Sequence, residues 1–204
     1  MAKEPVPKDK HKARMIDIAV DILAREGLQA LQARRVAQDC GCSVGTLYNT
    51  FDGLDDLIVQ ANARTLDRLK NHLESAVPAN QPAEQRLMGL AIAYMSFALE
   101  NQTAWRAIFE HRATDHWTAP EWYIEQQNAL LDMLEPPLTA LVGHHASRRR
   151  GARALFSAVH GILVLATDRK LGPPDVAEIE AQVRFVVAAT SEALPRLIGK
   201  AAGH

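Results

Sequence analysis

Apolar residues recur at helical spacing along almost the whole chain, and nowhere do they alternate as a half-buried strand would. MIDIAVDILAREG places Ile16, Ala19, Val20 and Leu23 at i, i+3, i+4 and i+7 and halts at Gly27, a helix C-terminal signal. ARRVAQDCGC predicts a second, short helix ending at Gly41. Ser43 is the expected N-cap of a third, with Phe51 closing it and Asp52-Gly53 breaking the chain again. From Leu54 to Ala76, Leu57, Ile58, Ala61, Leu66 and Leu69 keep the period, and PANQP then reads as a linker. Beyond it the pattern predicts helices at 82–100, 103–112, 119–142, 148–170 and 174–199. Pro136-Pro137 should kink or split the third of these, whereas Pro173-Pro174 suits the first turn of the last. The expected fold is all-α.

CGCSVGTLYNTFDGLDDL, residues 40–57, stands apart because its short helix is polar. A helix of about two turns is not held by its own hydrogen bonds, and Ser43, Thr46, Tyr48, Asn49 and Thr50 offer a core little to bury. Two short helices joined by GCS, the second polar at its N-terminal end, describe a helix-turn-helix, whose second helix enters the major groove. Gly45 would let the backbone approach DNA closely, Val44 would offer a methyl contact, and Thr46 and Asn49 have the chemistry for base edges. Tyr48 and Thr50 can donate to phosphate oxygens. Leu47 and Phe51 must then turn inward with Val36, Ala37 and Leu57.

Charge adds to this picture only through its distribution. The 204 residues carry a net charge of −1, which argues against indiscriminate coating of nucleic acid. Residues 1–51 nevertheless hold eight basic residues against six acidic ones, and Lys3, Lys8, Lys10, Lys12 and Arg14 form a basic arm before the first helix. The N-terminus has no apolar stretch behind its charges, and no run approaches the ~20 apolar residues of a membrane span, so the expected location is cytoplasmic. Cys40 and Cys42 are spaced C-x-C and are expected to be packing residues rather than a disulfide.

GCSVGTLYNTFDGLDDL resembles the signature of the TetR family of one-component transcriptional regulators, through Gly41, Ser43, Gly45, Thr46, Leu47, Tyr48, Phe51 and Leu57. The alanine-rich first helix, Glu26-Gly27 and Val36-Ala37 are similar to the same family's upstream elements. FALENQTAWRAIFEHR and ALFSAVHGILVLATD are similar to the C-terminal domain of one branch, in which an aromatic residue stands four positions before a His-Gly pair, here Phe156 and His160-Gly161. The resemblance implies a helix-turn-helix DNA-binding domain with its basic arm at 1–53, a connecting helix at 54–76, and a helical effector-binding and dimerisation domain at 77–204. The implied DNA-contacting set is Lys10, Lys12, Arg14, Gln32, Arg34, Ser43, Val44, Gly45, Thr46, Tyr48, Asn49 and Thr50. Two positions depart from the family. Leu54 replaces a lysine that touches phosphate, with Asp55 and Asp56 behind it, and Gln32 replaces a capping threonine. Each lost phosphate contact should weaken binding and flatten its salt dependence.

Function follows as an expectation: a repressor that occupies a palindromic operator as a homodimer and is released by a small-molecule effector. Dimerisation is placed at about residues 148–199, on the stripes Val176, Ile179, Val183, Val186, Thr190, Leu194 and Leu155, Val159, Ile162, Leu163, Ala166, each stripe being expected to serve partly the interface and partly its own domain's core. Aromatic residues concentrate between 94 and 123, and a hydrophobic or aromatic effector is expected against Phe97, Trp105, Phe109, Trp117, Trp122, Tyr123, Met133 and His160. His160 is read as a hydrogen-bonded core residue. His111 and His116 around Asp115 match no zinc spacing and are expected to be solvated, while His144-His145 would complement a helix end. No metal or cofactor is expected, and no nucleophile elbow, triad or phosphate-cradling glycine loop argues for an enzyme. The rival expectation is a helical interaction protein of the same fold with weak or lost operator binding, favoured by Leu54 and the acidic pair after it.

Overall fold

Helix α1 (Lys8–Arg25) begins about two turns earlier than the apolar period predicts, so Lys10, Lys12 and Arg14 are helical rather than part of an extended arm. The structure, a computed structural model, describes residues 8–78, 80–114, 116–141, 145–170, 172 and 175–201, and holds ten α-helices and no strand among them. Lys3, Asp115, His144 and Pro173-Pro174 lie outside the described residues.

After α1 the chain turns at Gly27, whose φ of 82° is a left-handed conformation open to glycine, and makes one 3-10 turn at Leu28–Ala30. Helix α2 (Ala33–Cys40) ends on Gly41 at φ 74°, and the Cys42 amide donates back to the Ala37 carbonyl, which closes the helix with a Schellman-type turn. Helix α3 is Val44–Tyr48 and α4 is Gly53–Ala76. Then come α5 (Ala83–Glu100), α6 (Gln102–Glu110), α7 (Glu121–Asp132), α8 (Glu135–Leu141), α9 (His145–Thr167) and α10 (Val176–Ala201). Pro136 and Pro137 split the predicted 119–142 helix: both sit in the first turn of α8, where a missing N–H costs no intrahelical bond.

The chain divides into two compact units, Met1–Arg68 with Asn101–Gln126, and Leu69–Glu100 with Gln127–His204. The cut differs from the boundaries expected near 53 and 76, because α6 packs on α1 and Ala107 joins a core built from Met15, Ala19, Leu23, Val36, Leu47 and Leu57. In the second unit α5, α8, α9 and α10 surround Leu87, Phe97, Leu138, Leu155, Leu163, Val183 and Val187. There α9 and α10 run antiparallel and close: a Cβ on Gly151 would meet Leu194 Cδ2 at 3.0 Å.

Candidate nucleic-acid interface

Helix α3 is only five residues long, and its caps hold it. The Ser43 hydroxyl accepts from the Thr46 amide at 3.1 Å and pairs with the Thr46 hydroxyl at 2.9 Å. Phe51 lies beyond the helix, in a turn whose Thr50 and Phe51 amides both donate to the Leu47 carbonyl. Leu47 and Phe51 are buried beside Val36 and Leu57, so the opposite face points to solvent: Tyr48 is 55% exposed, and Gly45 and Asn49 are exposed too. Thr50 donates its hydroxyl proton to the Thr46 carbonyl at 2.7 Å, which leaves its oxygen as an acceptor and removes the phosphate donor expected from the sequence.

The basic residues around this face are of two kinds. Lys10, Arg14 and Arg34 are exposed; Lys12 is half-buried with its ammonium 5.7 Å from the centre of the Phe51 ring, within cation–π range. Arg35, which the sequence expectation leaves out, grips Glu26 with two bonds of 2.7 and 2.5 Å, and that guanidinium holds the Glu26 carboxyl below its usual value. Gln32 is the N-cap of α2 but its side chain makes no capping bond.

At the start of α4, Leu54 and the two aspartates after it have partners within the first unit. Leu54 is partly buried against the core of the first unit. Asp56 accepts from the Asp52 amide at 3.1 Å, satisfying a donor that opens the helix, and its other oxygen accepts from Gln60. Asp55 faces the chain after α6: His111 Nε2 donates to Oδ1 at 2.8 Å, and Thr114 donates to Oδ2 from its hydroxyl at 2.8 Å and from its amide at 3.4 Å. Burial alone would raise the Asp55 pKa, but the bonds from His111 and Thr114 outweigh it and hold the carboxyl below its usual value. The expectation of a solvated His111 is therefore corrected, since its side chain is only 9% exposed; His116 is exposed. Nothing in the sequence spacing of 55 and 111 signals this pair.

The residues expected at the effector site are divided between the two units. Trp105, Phe109, Trp117, Trp122 and Tyr123 belong to the first unit; Phe97, Met133 and His160 belong to the second. Trp105 and Tyr123 are buried, Phe109 and Trp122 are exposed, and Trp117 sets its ring edge-on to His111. In the second unit His160 shares a hydrogen bond of 2.9 Å with the Tyr94 hydroxyl and stacks on Phe156, and burial lowers its pKa. A groove of about 540 Å³ in that unit is lined by Met88, Ile92 and Ala93 with His72, Ser96 and Arg184, and none of the eight expected residues lines it.

Of the two expected stripes, the part that serves the protomer's own core is visible. Ile179, Val183 and Leu194 on α10, and Leu155, Val159 and Leu163 on α9, are buried within their own unit. The apolar surface that remains outward on other faces is Ala181, Phe185, Ala188 and Ala189 on α10, and Ala154 and Leu165 on α9, while Val176 of the stripe is exposed at the start of α10. Phe185 is 73% exposed, and a Cβ added to Gly161 would meet nothing within 4 Å.

The comparisons with known proteins agree with this geometry. The family model of the tetracyclin repressor-like C-terminal domain matches residues 87–190. The chain is 32% identical over 78 residues to the HTH-type transcriptional repressor KstR of Mycolicibacterium smegmatis, covering 38% of each protein. It is 26% identical over 121 residues to the HTH-type transcriptional repressor KstR2 of Mycobacterium tuberculosis, covering 59% of this chain and 60% of that protein. The matched stretches thus span less than two thirds of either curated relative. The fold is shared with a TetR-family transcriptional regulator of Streptomyces coelicolor, at a TM-score of 0.66 and 18% identity over 96% of this chain and 90% of that one. With the family profile covering half of the chain, and a helix-turn-helix in the first unit, the protein belongs to the TetR family of transcriptional regulators.

Proposed function

We propose that this chain is a sequence-specific DNA-binding repressor, acting in the cytoplasm as a homodimer and released from its operator by a small molecule. The observation that carries the reading is α3: a five-residue helix whose apolar side is buried through Leu47, with Phe51 just after it, and whose Gly45, Tyr48 and Asn49 are held outward. Asn49 suits an adenine edge, and Tyr48 and the exposed Lys10, Arg14 and Arg34 suit phosphate. Family membership gives the reading its context. It also favours a regulator over an enzyme on a positive match rather than on an absence.

The features that favour the interaction-protein reading have structural roles of their own: Leu54 packs at the core edge, and Asp55 and Asp56 accept hydrogen bonds within the first unit. Dimerisation is proposed through the outward face of α9 and α10, where Phe185 and Leu165 remain uncovered and Gly161 leaves open space. No described helix is long and apolar enough to cross a membrane. For the effector, the ring cluster of Tyr94, Phe156 and His160 supports a partly aromatic ligand in the second unit.

Selection from a random duplex library by the purified protein, at two salt concentrations, tests the reading. Enrichment of a palindrome that survives higher salt supports a sequence-specific repressor; folded dimer that enriches nothing overturns it.

A further inference from the structure

Helix α3 cannot hold its own direction. It is five residues long, and Leu47 and Phe51 anchor it by apolar contacts, which fix depth but carry little directional preference. Its position within the first unit is therefore set from both ends, by α2, on which it packs across the Gly41–Ser43 turn, and by the start of α4, with only four residues between Tyr48 and Gly53. That start is gripped by directional bonds. Both oxygens of Asp55 are used, one by His111 and one by Thr114, at 2.8 Å each, with side-chain exposures of 16% for Asp55 and 9% for His111. Charge-assisted bonds of this length with little water access are the stronger kind.

A single grip would leave a pivot. Two helical turns further along the same face of α4, Asn62 is fully buried and donates to the Ala107 carbonyl at 3.1 Å. Ala107 lies in the last turn of α6, where carbonyls lack intrahelical partners, so this bond also caps α6. On the neighbouring side Gln126 of α7 donates to the Ala63 carbonyl at 3.0 Å and to Asp67 at 2.7 Å. Three anchor points along the first half of α4 define both its axis and its rotation.

We propose that His111 and Thr114 are positioning residues for the recognition helix: by clasping Asp55 they fix the first turn of α4, and with it α3, in one orientation within the first unit. The proposal rests on the DNA-binding reading and adds to it residues that touch no DNA. It also assigns Asp55 a use that the sequence alone presents as a defect.

The test compares His111→Phe, which keeps a ring without a donor, with His111→Gln, whose amide restores one, and with Thr114→Val as an isosteric loss. Two quantities are read: affinity for the operator recovered by selection, and amide hydrogen exchange across residues 44–56, both beside thermal unfolding. The expected result is about tenfold weaker operator binding for His111→Phe, recovery of most of it in His111→Gln, and a smaller loss in Thr114→Val. Exchange across 44–56 should quicken in the Phe variant at an unchanged global rate. Equal affinities for wild type and His111→Phe, failure of Gln to recover binding, or uniformly faster exchange would overturn the clasp. Should Phe lose its fold, Thr114→Val decides on the same readouts. If wild-type protein enriches no operator, the DNA-binding reading fails on its own, and the exchange data still decide whether the clasp orders α3.

Discussion

Helices α3 and α10 relate pattern to exposure in opposite ways. In α3 the apolar residue Leu47 is in and the polar residues are out, so its sequence states which side meets solvent. In α10 apolar side chains lie both in and out: Ile179, Val183 and Val187 are in, while Phe185, Ala188 and Ala189 are out beside the exposed Arg184. A polar outward face finished by two buried anchors needs no further protein to cover it. An exposed Phe185 on a 26-residue helix invites cover, and the proposed homodimer would supply it. Surplus apolar surface supports the proposed association in one unit, and an outward polar face supports the proposed recognition of DNA in the other.

The comparison breaks most visibly at Leu47. Leu47→Ala removes a fully buried side chain and should cost about 3 kcal/mol of stability by thermal or denaturant unfolding. An unchanged midpoint would mean that α3 is not anchored through this residue. Phe185→Glu comes next: it should weaken the dimer by about 2 kcal/mol, roughly thirtyfold, in sedimentation equilibrium. Gly161→Leu should act in the same direction without unfolding the protomer, since its new side chain starts in open space.

Smaller effects sharpen the first unit. Gln32→Thr supplies the capping oxygen that α2 lacks and should raise stability by about 1 kcal/mol, measured by chemical denaturation. Least of all, Asp55→Asn should alter the acid limb of the stability profile. The folded carboxyl is held below its unfolded value of about 3.9, so its contribution is fully present above that pH and is lost as pH falls through the lower folded value. The wild type should therefore lose stability below about pH 4 in a range where the Asn variant is flatter, with parallel profiles above about pH 5. Parallel profiles throughout would show that His111 and Thr114 do not favour the charged form.

Legibility in the sequence followed the range of the interaction. Gly41, Ser43 and the four polar residues Thr46, Tyr48, Asn49 and Thr50 announce a turn and a short exposed helix because capping and left-handed turns are decided within a few residues. The prolines at 136 and 137 likewise declare a helix start on local grounds. The basic arm was harder: Lys10, Lys12 and Arg14 lack an apolar period, yet they are helical as an extension of a helix already nucleated by Met15, Ile16 and Ala19. His111 was misplaced in solvent because its partner Asp55 lies 56 residues away.

What the sequence determined by itself was the all-helical pattern, the helix-turn-helix, and the inward turn of Leu47 and Phe51, each fixed by periodicity, caps and turns that neighbouring residues decide. Tertiary structure alone decided that α6 joins the first unit, that Ile179 and Val183 face their own core while Phe185 faces out, and that Asp55 is held by His111 and Thr114. An apolar helix with two apolar faces satisfies its own pattern in either rotation. Only the volume left by its neighbours selects which face is buried, and that volume is a property of the packed elements together.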